Sequence, residues 1–326
     1  MRPQSITSSK SVPVQWRMKS FMQLLCGALL ALHGGAAYPD TVSVLTSRVG
    51  GGYDEVIESL RQELARTSGL KFQVFVAPDT NAAPMPKLAD DTVTIVTIGL
   101  QAAQYALANG DPRVPLLSVL VPRTSFEALV SAMPANRRLS AVFIDQAPQR
   151  QLELLRAVLP SARDVGIIVG PANARDVETF RTLASNRGLT IIAERAARET
   201  ELYPVLQSVL RASDVLLALP DPYIINVSTA QNLLLTSFRF RVPVIGHSAA
   251  YVRAGALAAV YSTPRQLGLE AGQIVQQLLR GGGLSPPKYP RYFTVSINRQ
   301  MADSLGYRIA DEAVIMQRLQ QQEGME

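Results

Sequence analysis

Residues 151–170 read QLELLRAVLPSARDVGIIVG. In the first half, Leu152, Leu155 and Leu159 recur at the spacing that puts them on one face of a helix. The second half ends in 165–169, a run of apolar, mostly β-branched residues around one glycine. Such a run reads as a strand covered on both faces, as in a parallel sheet. A helix feeding straight into a doubly buried strand is half of a βαβ unit. The same alternation extends outward in both directions. Further strand candidates lie at 42–46 (VSVLT), 72–76 (FQVFV), 93–98 (VTIVTI), 116–121 (LLSVLV) and 141–144 (AVFI). After the quoted stretch come 190–193 (TIIA), 215–219 (VLLAL), 242–245 (VPVI) and 256–261 (ALAAVY). Helical patterns fall at 53–66, 100–108, 150–158, 176–186, 223–238 and 265–279. Right-handed crossovers then imply an α/β protein of doubly wound parallel sheets. Ten strands could form one sheet or, equally naturally, two groups of about five, with a seam then near Asp145-Gln146-Ala147-Pro148. Gly, Pro and Tyr mark 281–290 as a connector, followed by a last strand, 292–297 (YFTVSI), and a short helix at 300–305.

The N-terminus reads as an export signal. Lys19 precedes the apolar run 21–32 (FMQLLCGALLAL), and Gly35, Ala36 and Ala37 supply small residues for cleavage before Tyr38. Twelve residues are too few to span a bilayer. Residues 1–37 are taken as the signal peptide, with Met18 as an alternative start. Cys26 lies inside the apolar run, which disfavours a lipid anchor. The formal charge is +6, but residues 1–37 hold four basic and no acidic side chains. The remainder has 28 basic against 26 acidic residues, so bulk charge does not point to nucleic acid. Cleavage would leave no Cys, no Trp and a single His, His247. That excludes a cysteine nucleophile and Cys/His zinc sites.

Gly50-Gly51-Gly52 opens the first helix, where a dinucleotide fold holds pyrophosphate. The position of the third glycine is Glu55, which repels phosphate, so no cofactor is expected. His247 and Ser248 are adjacent and there is no G-x-S-x-G turn, so a hydrolase site is not expected either. Asp221, between Pro220 and Pro222 after a strand, has two compatible readings. It can cap a helix starting at Pro222, or face a ligand at the carboxyl end of the sheet.

Three stretches resemble the ABC-transporter substrate-binding proteins of the periplasmic-binding-protein type I superfamily, in the branch that includes aromatic amino-acid binders. They are 151–170, VLLALPDP at 215–222, and VPVIGHSAAYVRAGALA at 242–258 with Gln266-Leu267-Gly268. The resemblance implies two lobes joined by three crossovers, near Asp145, near 250–255 and near 288–292. The first lobe would hold 38–145 plus 253–287, and the second 146–252 plus 288–326. It implies a small-molecule ligand in the cleft, an ABC permease as partner, a periplasmic location and no enzymatic activity. Where the aromatic amino-acid binders have a Thr-Pro-Ala turn, this chain has Gly99-Leu100-Gln101-Ala102, and where they have Asp-Asn it has Asp221-Pro222. Ligand identity therefore does not carry over. The expected ligand contacts are Ser47, Arg48, Gln101, Arg123 and Thr124 from the first lobe, and Asn173, Asp221, Tyr223 and Ser248 from the second. Arg48 or Arg123 would hold a carboxylate, and Asp221 an ammonium or hydroxyl. The rival roles are a periplasmic sensor presenting its ligand to a membrane receptor, and an exported two-lobed α/β enzyme. Neither nucleic-acid binding nor membrane insertion of the mature chain is expected.

Overall fold

The computed structural model describes residues 40–80, 83–131, 137–171, 173–221 and 224–324. The signal reading at 1–37 and the expected contact Tyr223 lie outside the described residues.

The chain forms two sheets. The first is built from β1 (Thr41–Thr46), β2 (Lys71–Val76), β3 (Thr92–Ile98), β4 (Leu116–Val121) and β5 (Leu139–Phe143), ordered β2-β1-β3-β4-β5 and parallel throughout. Helices α1 (Gly52–Leu64), α2 (Leu100–Asn109) and α3 (Arg123–Ser131) connect them. Every residue of β1 is buried, as in a strand covered on both faces, and its buried Thr41 and Ser43 hydroxyls are met by Asp91 and Thr92. Residues 77–91 hold no helix among those described, so β2 returns to β3 through a Pro-rich loop.

The second sheet contains β6 (Asp164–Val169), β7 (Thr190–Arg195), β8 (Val215–Leu217), β9 (Val244–Gly246), β10 (Ala258–Tyr261) and β11 (Thr294–Ile297). The order is β11-β10-β9-β8-β6-β7, with only β11 antiparallel. Its helices are α4 (Pro148–Val158), α5 (Val177–Ser185), α6 (Glu199–Ala212), α7 (Val227–Arg239), α8 (Ala249–Ala254), α10 (Arg299–Leu305) and α11 (Glu312–Gln322). The remaining helix, α9 (Pro264–Leu279), leaves the second sheet and packs on α1 of the first lobe. Ser59 Oγ donates to the Arg265 carbonyl at 2.8 Å, and Gln276 Nε2 to that of Glu63 at 2.8 Å.

Strand pairing corrects the expected lobe boundaries. Residues 253–262 belong with the second sheet, because β10 pairs with β9 and β11. Gly255 ends α8 at φ 126°, and only residues 255–257 separate that helix from β10, too short a link to reach the other sheet. The crossing to α9 is therefore at Ser262-Thr263. Lys288 instead stays with the first lobe: its N–H donates to the Ala141 carbonyl and its carbonyl accepts from Phe143. The chain returns to the second lobe at 290–292.

Two local expectations also change. The helix expected from Tyr223 begins at Val227, and its cap is Asn226, in a reciprocal box with Thr229. Asp221 is not a helix cap: its backbone forms an antiparallel bridge with Ile225. In addition, α3, α6 and α11 appear where the sequence pattern had not been read as helical.

Candidate ligand-binding cleft

The strands β4, β5, β6 and β8 have their carboxyl ends at the seam between the lobes. The segments that follow β4, β5, β6 and β8 carry Arg123, Asp145, Asn173 and Asp221. Together they wall a cavity of about 410 Å³, lined from both lobes, in the range of roughly 300–1,000 Å³ usual for small-molecule sites. A hollow of about 430 Å³ between α6 and α7 is lined by one lobe and no strand end, so it is not the candidate.

Of the expected contacts, Arg123, Thr124, Asn173 and Asp221 line the cavity. Arg123 opens α3 and is partly buried. Its Nη1 donates to both carboxylate oxygens of Glu127 at 2.6 and 2.8 Å, and its Nη2 donates across the cleft to Asp176 of the second lobe. Burial works against its charge, but Glu127, Tyr289 and Asp176 outweigh that and hold its pKa above the usual arginine value. Asn173 is 4% exposed. Its Oδ1 accepts the Gly170 N–H at 2.8 Å, while its Nδ2 is buried without a hydrogen-bond partner. Asp221 is 1% exposed and its carboxylate lies against Gly170, where a Cβ would come within 2.2 Å of Oδ2. Glycine is required there by that close approach.

Ser47, Arg48, Gln101 and Ser248 are not on the cavity wall. Ser47 Oγ accepts the Ala102 N–H at 2.8 Å and so anchors the start of α2 on the end of β1. Arg48 is exposed. Gln101 Nε2 donates to the Pro78 carbonyl at 2.9 Å and to Asp79 at 3.1 Å, which holds the Pro-rich loop. Ser248 caps α8. His247 is held at 3.2 Å from the Ala218 carbonyl and against the Tyr251 ring, and burial lowers its pKa. At the Gly50 turn, the Gly50 N–H donates to Asp54 at 3.0 Å.

Several wall residues were not singled out from the sequence: Tyr53, Leu120, Asp145, Asp176, Phe180 and Tyr289. Asp145 accepts the Arg123 N–H at 2.6 Å, and burial raises its pKa against that bond. Leu120 sits at φ 57° in an irregularity of the β4·β5 register, a conformation that costs a branched residue about 1–2 kcal/mol. Strain of this kind gathers at functional sites. Only the Asp145 position, at the predicted seam, carried a sequence signal. The others follow from tertiary placement.

Two α/β lobes with a pocket at the facing strand ends define the two-lobed solute-binding fold. Residues 70–319 match the model of the family described as ABC transporter substrate binding protein, and the chain belongs to that family. A tyrosine-binding protein of Clostridioides difficile is 22% identical over 208 residues, 63% of this chain and 59% of that protein's length. An ABC domain from Streptococcus pneumonia, solved in complex with L-Trp, is 20% identical with a TM-score of 0.59, covering 85% of this chain and 97% of that one. The ligand-free, open structure of a substrate binding protein with adhesive properties from Clostridium difficile is 17% identical, with a TM-score of 0.66 over 83% and 96% of the two chains. These structural likenesses are of fold.

Proposed function

We propose that this protein is an extracytoplasmic solute-binding protein that captures a small organic molecule between its lobes for an ABC-type importer, without chemical turnover. The observation that carries the reading is the cavity shared by both lobes, with a buried amide donor of Asn173 that has no hydrogen-bond partner among the described residues. A buried donor left unmet costs roughly 1–3 kcal/mol, which a ligand oxygen would recover. Within this reading Asn173 and Asp221 hold the solute from the second lobe, with Thr124 from the first. A solute touching both lobes favours the closed arrangement. The names of the relatives support an amino-acid-sized solute, and the reading of residues 1–37 as an export signal supports a periplasmic location.

The test is native mass spectrometry of the full chain against a library of amines, amino acids, nucleosides and organic acids, followed by small-angle scattering with the ligand found. Binding with a smaller radius of gyration is expected. Asp221→Asn should weaken that ligand by about tenfold to a hundredfold, the loss of a charge-assisted bond of roughly 1.5–3 kcal/mol. A ligand that binds without compaction, and equally well to the variant, would place its site elsewhere.

A further inference from the structure

Arg123 stands where the two lobes meet, and its donors go to different parts of the molecule. Its backbone N–H donates to Asp145, at the first crossing between the lobes. Nη1 donates to both carboxylate oxygens of Glu127, one turn further along the same helix. Nη2 donates to Asp176, which belongs to the second lobe. Among the described residues this is the one ion pair between a first-lobe and a second-lobe side chain. Other bonds between the lobes, such as the Arg291 N–H to Glu270 and Gln266 Nε2 to the Phe293 carbonyl, sit at the chain crossings. The Arg123 and Asp176 side chains are 19% and 24% exposed, buried enough to attract strongly and open enough for salt to reach them.

Each partner is held from within its own lobe. Glu127 fixes the guanidinium from α3, so Nη2 is presented to the second lobe whether or not that lobe is near. Asp176 precedes α5, and its side chain makes no helix-capping bond there. Its backbone N–H donates to the Asn173 carbonyl at 3.0 Å. The carboxylate that reaches Arg123 therefore sits in the same turn as the buried Asn173 amide that faces the cleft.

We propose that Arg123 and Asp176 are positioning residues that form a latch: their ion pair draws the lobes together and holds the Asn173 turn at the cleft. The pair exists when the lobes meet and is lost when they part. An interaction made in one of two states shifts the balance toward that state by its own strength. Part of the preference for the closed form then comes from the protein itself. This is also why an arginine on the cleft wall is not the residue that holds a ligand carboxylate. The latch acts on the lobes and does not depend on which solute the cleft takes.

The test is small-angle scattering of the full chain with no solute added, at about 0.01 M and about 1 M NaCl, reading the ratio of open to closed forms. Asp176→Asn keeps the size of the side chain and removes its charge. It should raise the open-to-closed ratio about fivefold at low salt, the scale of one well-placed ion pair. The parent should move toward the variant's ratio as salt rises, and the variant should hardly respond. Asp176→Glu restores a carboxylate and should recover part of the low-salt compaction. A purely structural role for Asp176 would lower the melting temperature without giving the parent this salt response. Equal ratios for the parent and Asp176→Asn at low salt, or the same salt response in both, would overturn the latch. If Asp176→Asn does not fold, Arg123→Gln breaks the pair from the other side and is judged by the same comparison. A parent whose ratio does not move with salt overturns the proposal without any variant. None of these outcomes bears on solute capture, which the solute library tests separately.

Discussion

Asp145 accepts the Arg123 N–H at the first crossing between lobes, where its side chain is partly buried. Burial raises its pKa above the ordinary aspartate value, so the folded protein holds this proton more tightly than the unfolded chain does. The stability this contributes is complete below the unfolded pKa and is lost as pH rises through the folded one. Asp145→Asn mimics the protonated form and its Oδ1 can still accept the Arg123 N–H. The variant should therefore melt higher than the parent at neutral pH, with the difference vanishing toward about pH 3 to 4, near the unfolded aspartate pKa. Thermal melts of both proteins across that range check it; a difference independent of pH would contradict it. At this scale the expected contacts all follow strands, but only Arg123, Thr124, Asn173 and Asp221 of those described line the cavity. Ser47, Gln101 and Ser248 follow strands as expected, but each spends its polar atoms on neighbouring backbone. A polar residue after a strand has two uses, cap or contact, and only its neighbours in space decide between them.

Helix α9 shows the same limit for elements. Its hydrophobic spacing is plain in the sequence, and in the structure Thr263 with Gln266 forms a capping box ahead of Pro264. The resemblance placed it in the first lobe together with 253–263; the structure sends it there without β10, and shows why it carries Gly268 and Gly272. Both glycines face α1. A Cβ on Gly268 would lie 2.4 Å from the Val56 carbonyl oxygen, and one on Gly272 2.6 Å from the Glu63 Cβ. Ala favours a helix over Gly by about 1 kcal/mol. Gly268→Ala should nevertheless destabilise the protein by about 1–3 kcal/mol, because the two helix backbones must move apart. Denaturant unfolding measures it, and a stabilised variant would mean that α1 and α9 are not locked together at this point. The Asn226 cap was missed because Pro220 and Pro222 drew attention to an earlier start, whereas the chain first closes the Asp221·Ile225 bridge.

The three crossings are tied together at the scale of the whole molecule by one buried arginine. Arg150 Nη1 donates to Gln146 Oε1 at 2.6 Å and to the Pro290 carbonyl at 2.9 Å, while Nε and Nη2 grip the Glu323 carboxylate at 2.6 and 2.5 Å. Gln146 reaches Ser262 Oγ at 3.0 Å, and Ser262 donates to the Tyr292 carbonyl at 2.6 Å. The guanidinium also lies over the Phe293 ring, 4.1 Å from its centroid. The hinge is therefore one connected network rather than three loose strands. Arg150→Ala should cost about 3 kcal/mol, the usual scale for leaving a buried partner uncompensated. Arg150→Lys should recover only part of it, since an ammonium cannot repeat the forked contacts. Chemical denaturation of both variants is the check, and equal stability of all three proteins would remove Arg150 from the hinge.

The sequence by itself determined the alternation of helix and doubly buried strand, and with it the mostly parallel α/β class. Those features are local, written in the period and continuity of apolar residues. It also placed Asn173 and Asp221 at strand ends, where open α/β sheets bind ligands. Tertiary structure alone decided that β10 stays with the second sheet, that Arg123 is bound by Asp176 from the opposite lobe, and that Asn173 Nδ2 is left without a partner. The partners in these cases come from elements far apart in the chain. No pattern within one segment records which groups meet across a cleft, because a side chain's hydrogen bonds and charge balance depend on all the elements packed around it.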